Sequence, residues 1–284
     1  MTLPLAIATA FTFSTPAQAS LTSYTANGVD LVRMQGAGFD VSFTKDGNLF
    51  QTLANGYAGG AAAFINAVIA SVPGGKIYDT PNAYDTPANS GYHILSSSDF
   101  NAYNSGTVSW FGGQAFIGYL NSVSYGGSSQ WQLPTVTDTG TPGCDIAFSG
   151  TDCAWNVDTS TSALAQLYFG ELSKITAYNA SGTSQSGYGI FGDNNETSSG
   201  SVGPFSNVQS NSYWSGTEYA PISKSAWHFG TWVGYQLPEQ KDLHMFVWAI
   251  TPGQVAAVPL PSAVWMMGTG LLGLLGLNRR NKIQ

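Results

Sequence analysis

Apolar and polar residues alternate over residues 27–43, on either side of Gly36 and Gly38, which predicts a β-hairpin running into a Lys45-Asp46-Gly47-Asn48 turn. The period then changes. Phe64, Ile65, Val68, Ile69 and Val72 fall on one face of a helix predicted over residues 61–72, and Pro73-Gly74-Gly75 stops it. A second helix, weakened by glycine, is expected over 111–123 with Phe116, Ile117 and Leu120 inward. A third begins near Ser160, with Leu164, Leu167, Tyr168 and Leu172 at helical spacing. After a long Gly/Ser/Asn loop at 179–203 come short aromatic and β-branched runs at 213–219, 226–233 and 243–250, separated by polar turns, which predict strands.

The two ends carry different signals. Residues 1–19 are largely apolar and close on Ala17-Gln18-Ala19, the small-x-small triplet that a signal peptidase cuts, so the exported chain is expected to start at Ser20. Residues 258–277 form an uncharged stretch followed at once by Arg279, Arg280 and Lys282. As a transmembrane helix it would span ~30 Å, about one hydrocarbon core, with the basic residues on the cytoplasmic side. Both ends therefore put residues 20–257 outside the cytoplasm. Two prolines and Gly268, Gly270, Gly273 and Gly276 dilute the segment, which suits a recognition signal better than a permanent anchor.

Composition narrows the partners. Charged residues are 9% of the chain and aromatic residues 13%, so the surface must be built from Ser, Thr, Asn, Gly and Tyr. The formal charge is −7, and without Arg279, Arg280 and Lys282 six basic residues face 16 acids, or −10, in the exported part. Nucleic acid and sulfated glycans both need a basic footprint that this part lacks. Cys144 and Cys153 lie in a polar stretch and are expected to pair as a local clip in an oxidising compartment.

Val258-Pro259-Leu260-Pro261-Ser262-Ala263, an apolar helix and Arg279-Arg280 together resemble the PEP-CTERM sorting tail of Gram-negative bacteria, with Leu260 where Glu is usual. The resemblance implies an exosortase-type membrane transpeptidase as partner and a host that makes exopolysaccharide; a plain tail anchor is the alternative. Centrally, Trp110, Leu120-Asn121, Tyr125-Gly126-Gly127 and Trp131-Gln132-Leu133-Pro134-Thr135 resemble the signature of the Lcl C-terminal domain family. Tyr213-Trp214-Ser215-Gly216-Thr217-Glu218-Tyr219, Ala226-Trp227, Lys241 and Val247-Trp248-Ala249-Ile250-Thr251-Pro252-Gly253 continue it in order, and Phe43 to Phe50 resembles an upstream motif of tail-bearing members. The resemblance implies an α+β fold related to C-type lectin-like domains, a surface location and a binding role without a reaction. The expected organisation is a signal peptide at 1–19, the N-terminal part of the ectodomain at 20–105, the Lcl-like domain at 106–255 and the sorting tail at 258–284.

No nucleophile elbow, phosphate loop, dinucleotide fingerprint or His-Glu-x-x-His occurs, so the expectation is a protein that is not an enzyme and carries no cofactor. The candidate ligand-binding set is Tyr213, Trp214, Glu218, Trp227 and Trp232, because sugar rings stack on flat side chains, with burial of most of these aromatics in the core as the plainer reading. Alternation puts Trp232 and His228 on one strand face and Trp227, Phe229 and Tyr235 on the other, so one set is expected to be exposed if the sheet is covered on one side only. Asp193, Asn194 and Glu196 are a candidate Ca²⁺ loop, with a solvated polar turn as the plainer reading. His93, His228 and His244 lack ligand spacing and read as solvent-facing histidines, although His228 and His244 lie in neighbouring strands. The expected function is an exported surface or matrix protein that binds an extracellular polysaccharide or another envelope component; the alternative is a structural matrix protein that self-associates.

Overall fold

The computed structural model describes residues 20–102, 105–138, 148 and 151–256; the expected signal peptide, the sorting tail and Cys144 lie outside them. Strands β1 (Ser20–Ala26), β2 (Val29–Gly36) and β3 (Phe39–Thr44) form an antiparallel meander that includes the expected hairpin, with Val32 opposite Phe43. The Lys45–Asn48 turn leads into α1 (Leu49–Gly56), which sequence periodicity did not reveal, and then α2 (Gly60–Ala70). After β4 (Lys76–Tyr78), β5 (Tyr92–Ile94), β6 (Phe100–Asn101) and β7 (Thr107–Val108) comes α3 (Trp110–Ser122). Ser109 caps α3 by accepting a hydrogen bond from Gly112 N, at 3.0 Å. A Cβ on Gly112 would meet Asp99 O at 2.5 Å, so glycine lets the helix lie directly on backbone there.

The third expected helix is broken. A short α4 (Ala163–Ala165) continues into π-helical Gln166–Glu171 after β8 (Ala154–Trp155). Strands β9 (Ser199–Val202) and β10 (Phe205–Gln209) make a two-stranded hairpin. The second four-stranded antiparallel sheet has the order β11 (Ser212–Glu218), β12 (Ser225–Gly230), β13 (Tyr235–Gln240), β8. Strand β14 (Ile250–Pro252) returns to pair with β3, so residues 20–105 and 106–255 share one sheet. The architecture is α+β, with helices and antiparallel sheets in one body. Among the described residues no single helix is long and apolar enough to cross a membrane.

Two large apolar cores explain this arrangement. Leu31, Trp214, Met245, Val247 and Ala249 belong to the first, which α1, α2 and α3 line with Phe50, Phe64, Phe111 and Phe116. Val32, Met34, Tyr213, Phe246, Trp248 and Ile250 belong to the second. Strands β2 and β11 therefore run between the two cores, with Leu31 and Trp214 in the first and Val32, Met34 and Tyr213 in the second. Segment 243–250, expected as a strand, instead makes isolated bridges from Met245 to Val108 and from Phe246 to Tyr213, and Ile250 bridges Gln132 where β14 begins.

The β12–β13 turn offers a direct test of this packing. Gly234 has φ +70°, and a Cβ there would lie 2.8 Å from the buried Tyr168 ring. Gly234→Ala is expected to lose about 1–3 kcal/mol, from left-handed backbone strain and overpacking, read as a lower urea midpoint with an unchanged slope.

Candidate functional site

The turn after β3 folds on its own acid. Asp46 Oδ1 accepts hydrogen bonds from Asn48 N (2.8 Å) and Asn207 Nδ2 (2.9 Å), and Oδ2 accepts from Thr52 Oγ1 (2.5 Å). One carboxylate thus ties the turn to α1 and to the β9–β10 hairpin. Tyr125, in a 3₁₀ turn after α3, closes the opposite wall; its ring rests on Trp131 with centroids 6.0 Å apart, and its carbonyl accepts from Trp131 Nε1. Between these walls lies a cleft of about 400 Å³, lined by Asp30, Thr44, Lys45, Asp46, Thr52, Tyr125 and Ser206 with Val29 and Leu49. That is the size range of small-ligand sites.

A smaller hollow of about 170 Å³, lined by Ser23, Tyr24 and Thr25, adjoins the cleft, and both are bordered by Asp30 and Lys45. Lys45 Nζ lies 3.2 Å from Asp30 Oδ2, and both side chains are well exposed. The Asp30 carboxyl sits below its ordinary range, first through the hydrogen bond from Thr25 and then through Lys45. Burial pushes the Tyr125 phenol up to about 12, with Asp46 adding to the shift, so it keeps its proton at neutral pH. The lining combines two carboxylates, one ammonium, three hydroxyls of Thr and Ser, and one phenol, a mixture that accepts and donates hydrogen bonds while remaining slightly negative.

The sequence-derived candidates fall elsewhere. Tyr213, Trp214 and Trp227 are 0–1% exposed and pack inside the cores, which removes them as stacking platforms. Both faces of β12 are covered, and all six of its residues are buried. Trp232 is half-buried in the following turn with its ring edge on Tyr235. Glu218 is bound to Lys241 at 2.7 Å, together with Asp79 at 2.6 Å. The Asp193 loop spends its oxygens on itself: Asp193 accepts from Asn195 N and Ser198 Oγ, and Asn194 Oδ1 accepts from Gly187 N and Tyr188 N, while Glu196 is exposed. Among the described residues no group of three or more His, Cys, Asp or Glu is placed to hold a metal.

The histidines separate too. His228 is 1% exposed, which corrects the expectation of a solvent-facing ring, and His244 binds Ser98 O on the outside. His93 stacks on Phe111 at 4.1 Å and meets Asp99, while buried Ser109 donates to Asp99 Oδ1 rather than to the imidazole. That order puts a carboxylate and not an imidazole on the Ser109 hydroxyl, so the trio supports α3 and lacks the Ser-His-Asp order of a nucleophilic triad. Cys153 is buried and disulfide-bonded; its expected partner Cys144 is outside the described residues.

Sequence reading passed over Asp30, Lys45, Asp46 and Asp79. The available signal was the Lys45-Asp46-Gly47-Asn48 turn itself, an acid and a base together in a chain with few charges. No family model matches this chain, and no curated protein or solved structure matches it either.

Proposed function

We propose that this chain is an exported envelope protein whose α+β domain binds a neutral glycan in the cleft between the β2–β3 hairpin, α1 and Tyr125. The observation that carries the reading is the cleft lining: Asp30 and Lys45 at its exposed edge, hydroxyls behind them and a phenol on the wall. Vicinal sugar hydroxyls donate to a carboxylate and accept from an ammonium, and the pyranose face packs on an aromatic ring. The −10 charge of the exported part works against sulfated ligands. The signal-peptide pattern at 1–19, the PEP-CTERM-like tail with Val258 to Pro261 and Arg279-Arg280, and the Lcl-like motifs with their lectin-related fold support the location and the binding class.

Glycan-array screening of the ectodomain, with and without Ca²⁺, followed by titration of the best ligand, tests this. Asp30→Asn and Lys45→Met each remove one charged hydrogen bond at an exposed position, worth roughly 1.5 kcal/mol, so affinity is expected to fall about tenfold with the fold unchanged by circular dichroism. An empty array, or a ligand indifferent to both variants, overturns the reading. Edge strand β1 favours the second reading, self-association, because it pairs only with β2 among the described residues; concentration-dependent sedimentation without glycan binding is its signature.

A further inference from the structure

The Lys241 side chain brings a buried amine against one buried carboxyl group, Asp79, and one that is partly exposed, Glu218. Its Nζ lies 2.6 Å from Asp79 Oδ2 and 2.7 Å from Glu218 Oε2; the Lys241 and Asp79 side chains are 0% exposed. The Trp110 ring lies 4.7 Å from Nζ and the Phe111 ring 5.9 Å, which makes the surroundings aromatic and dry. Each group is fixed from behind. Asn82 Nδ2 donates to Asp79 Oδ2 at 2.8 Å, Thr80 N donates to the Glu218 carboxylate at 3.2 Å, and the Lys241 backbone bonds Trp110 N and Lys224 O. Asp79 Oδ1 is buried with no hydrogen-bond partner among the described residues.

As an ion pair this centre is poorly built, because a buried carboxylate is stable only when its lone pairs are satisfied. As a reaction site it is complete. We propose that Lys241 and Asp79 join in an intramolecular isopeptide bond, with Glu218 carrying the proton. Glu218 takes a proton from the ammonium, and the freed lone pair forms the Nζ–Cγ bond with the neutral Asp79 acid. Glu218 returns that proton to the departing hydroxyl, which leaves as water with the electron pair of its Cγ–O bond, and then accepts a second proton from nitrogen. Ammonium, acid and carboxylate become amide, water and protonated Glu218; nothing is oxidised or reduced. Oδ1, which nothing retains, is the oxygen that leaves, and Asn82 holds the other as the amide carbonyl.

Two further observations agree. Burial outweighs Lys241 and drives the Asp79 carboxyl upward, towards the neutral acid that the step needs. Exclusion of water favours condensation, since the reactant ions have lost their hydration and the product amide is neutral. The bond would tie the segment between β4 and β5 to the end of β13 across 162 positions, independently of any ligand in the cleft.

The test is peptide mapping of the purified, reduced full chain by mass spectrometry. The expected result is one linked peptide pair holding Asp79 and Lys241, lighter than the two separate peptides by one water. Glu218→Gln is expected to leave the pair unlinked in a folded chain. Asp79→Asn is expected to give the same amide with loss of ammonia instead of water. Separate peptides in the folded wild type overturn the proposal, as does a water loss that persists in Lys241→Arg, which would belong to a succinimide. Linkage that survives in Glu218→Gln overturns the proton-carrier role. The wild-type map decides the bond itself even where a variant fails to fold.

Discussion

Trp214→Ala is expected to lose about 3–5 kcal/mol of stability while leaving the affinity of each folded molecule for its ligand unchanged. The indole is wholly buried in the first core, and its Nε1 donates to Val108 O at 2.9 Å. Truncation removes the largest type of side chain from a position between two covered sheet faces, where the surroundings relax only partly. The hydrogen bond is the smaller part, because Val108 O also accepts from Met245 N at 2.9 Å and keeps a partner. Trp214→Phe is therefore expected to cost only about 1–2 kcal/mol. Urea unfolding followed by fluorescence measures both losses. Glycan affinity that falls in Trp214→Phe with little loss of stability would restore Trp214 to the binding surface and displace the cleft.

Acid is expected to unfold this protein largely through His228. Both ring nitrogens are buried without a hydrogen-bond partner among the described residues, and burial alone pushes the pKa from 6.5 down to about 3. The unfolded chain binds a proton at this residue below pH 6.5, while the folded chain refuses it until about pH 3. Stability is thus fully present above pH 6.5 and drains away as pH falls, by as much as about 1.4 kcal/mol per pH unit and on the order of 5 kcal/mol in total. His93 acts in the opposite sense: burial lowers its pKa, but the hydrogen bonds to Asp99 and to the Tyr84 carbonyl outweigh burial and raise it. His228→Leu isolates the first effect. Its urea midpoints at about pH 7 and about pH 4 should differ much less than those of the wild type, with no loss at neutral pH because no hydrogen bond is broken. Parallel pH profiles for the two proteins would refute the assignment.

The cleft and the Lys241 centre make separate demands on the same chain. Asp30, Lys45 and Asp46 keep polar groups in reach of water, where a hydrophilic ligand can exchange with solvent. Lys241 and Asp79 do the reverse, and nothing soluble reaches them. Variants at one place therefore report on it alone, since no residue is shared between them.

Helices α2 and α3 were legible from spacing, within two residues of their ends, because an apolar stripe at period 3.6 is a local property of the chain. The β2–β3 hairpin was legible for the same reason at period 2. Helix α1 was missed because eight residues carry too little of the period, and β13 because Pro238 interrupts a run that nevertheless pairs with Trp227. Segment 245–250 does alternate, with Met245, Val247 and Ala249 in one core and Phe246, Trp248 and Ile250 in the other. Two buried faces look alike in sequence, so alternation could not say that neither face meets water. The same ambiguity covers Tyr213, Trp214 and Trp227, all three of which are buried. By itself the sequence determined α2, α3 and the β2–β3 hairpin, the sparse charge and the patterns at both ends. Only the tertiary structure decided which aromatic faces are covered, and that Asp79, from a loop 162 positions away, joins Glu218 at the amine of Lys241. Contacts between distant segments depend on how whole faces are buried, and no local period records that.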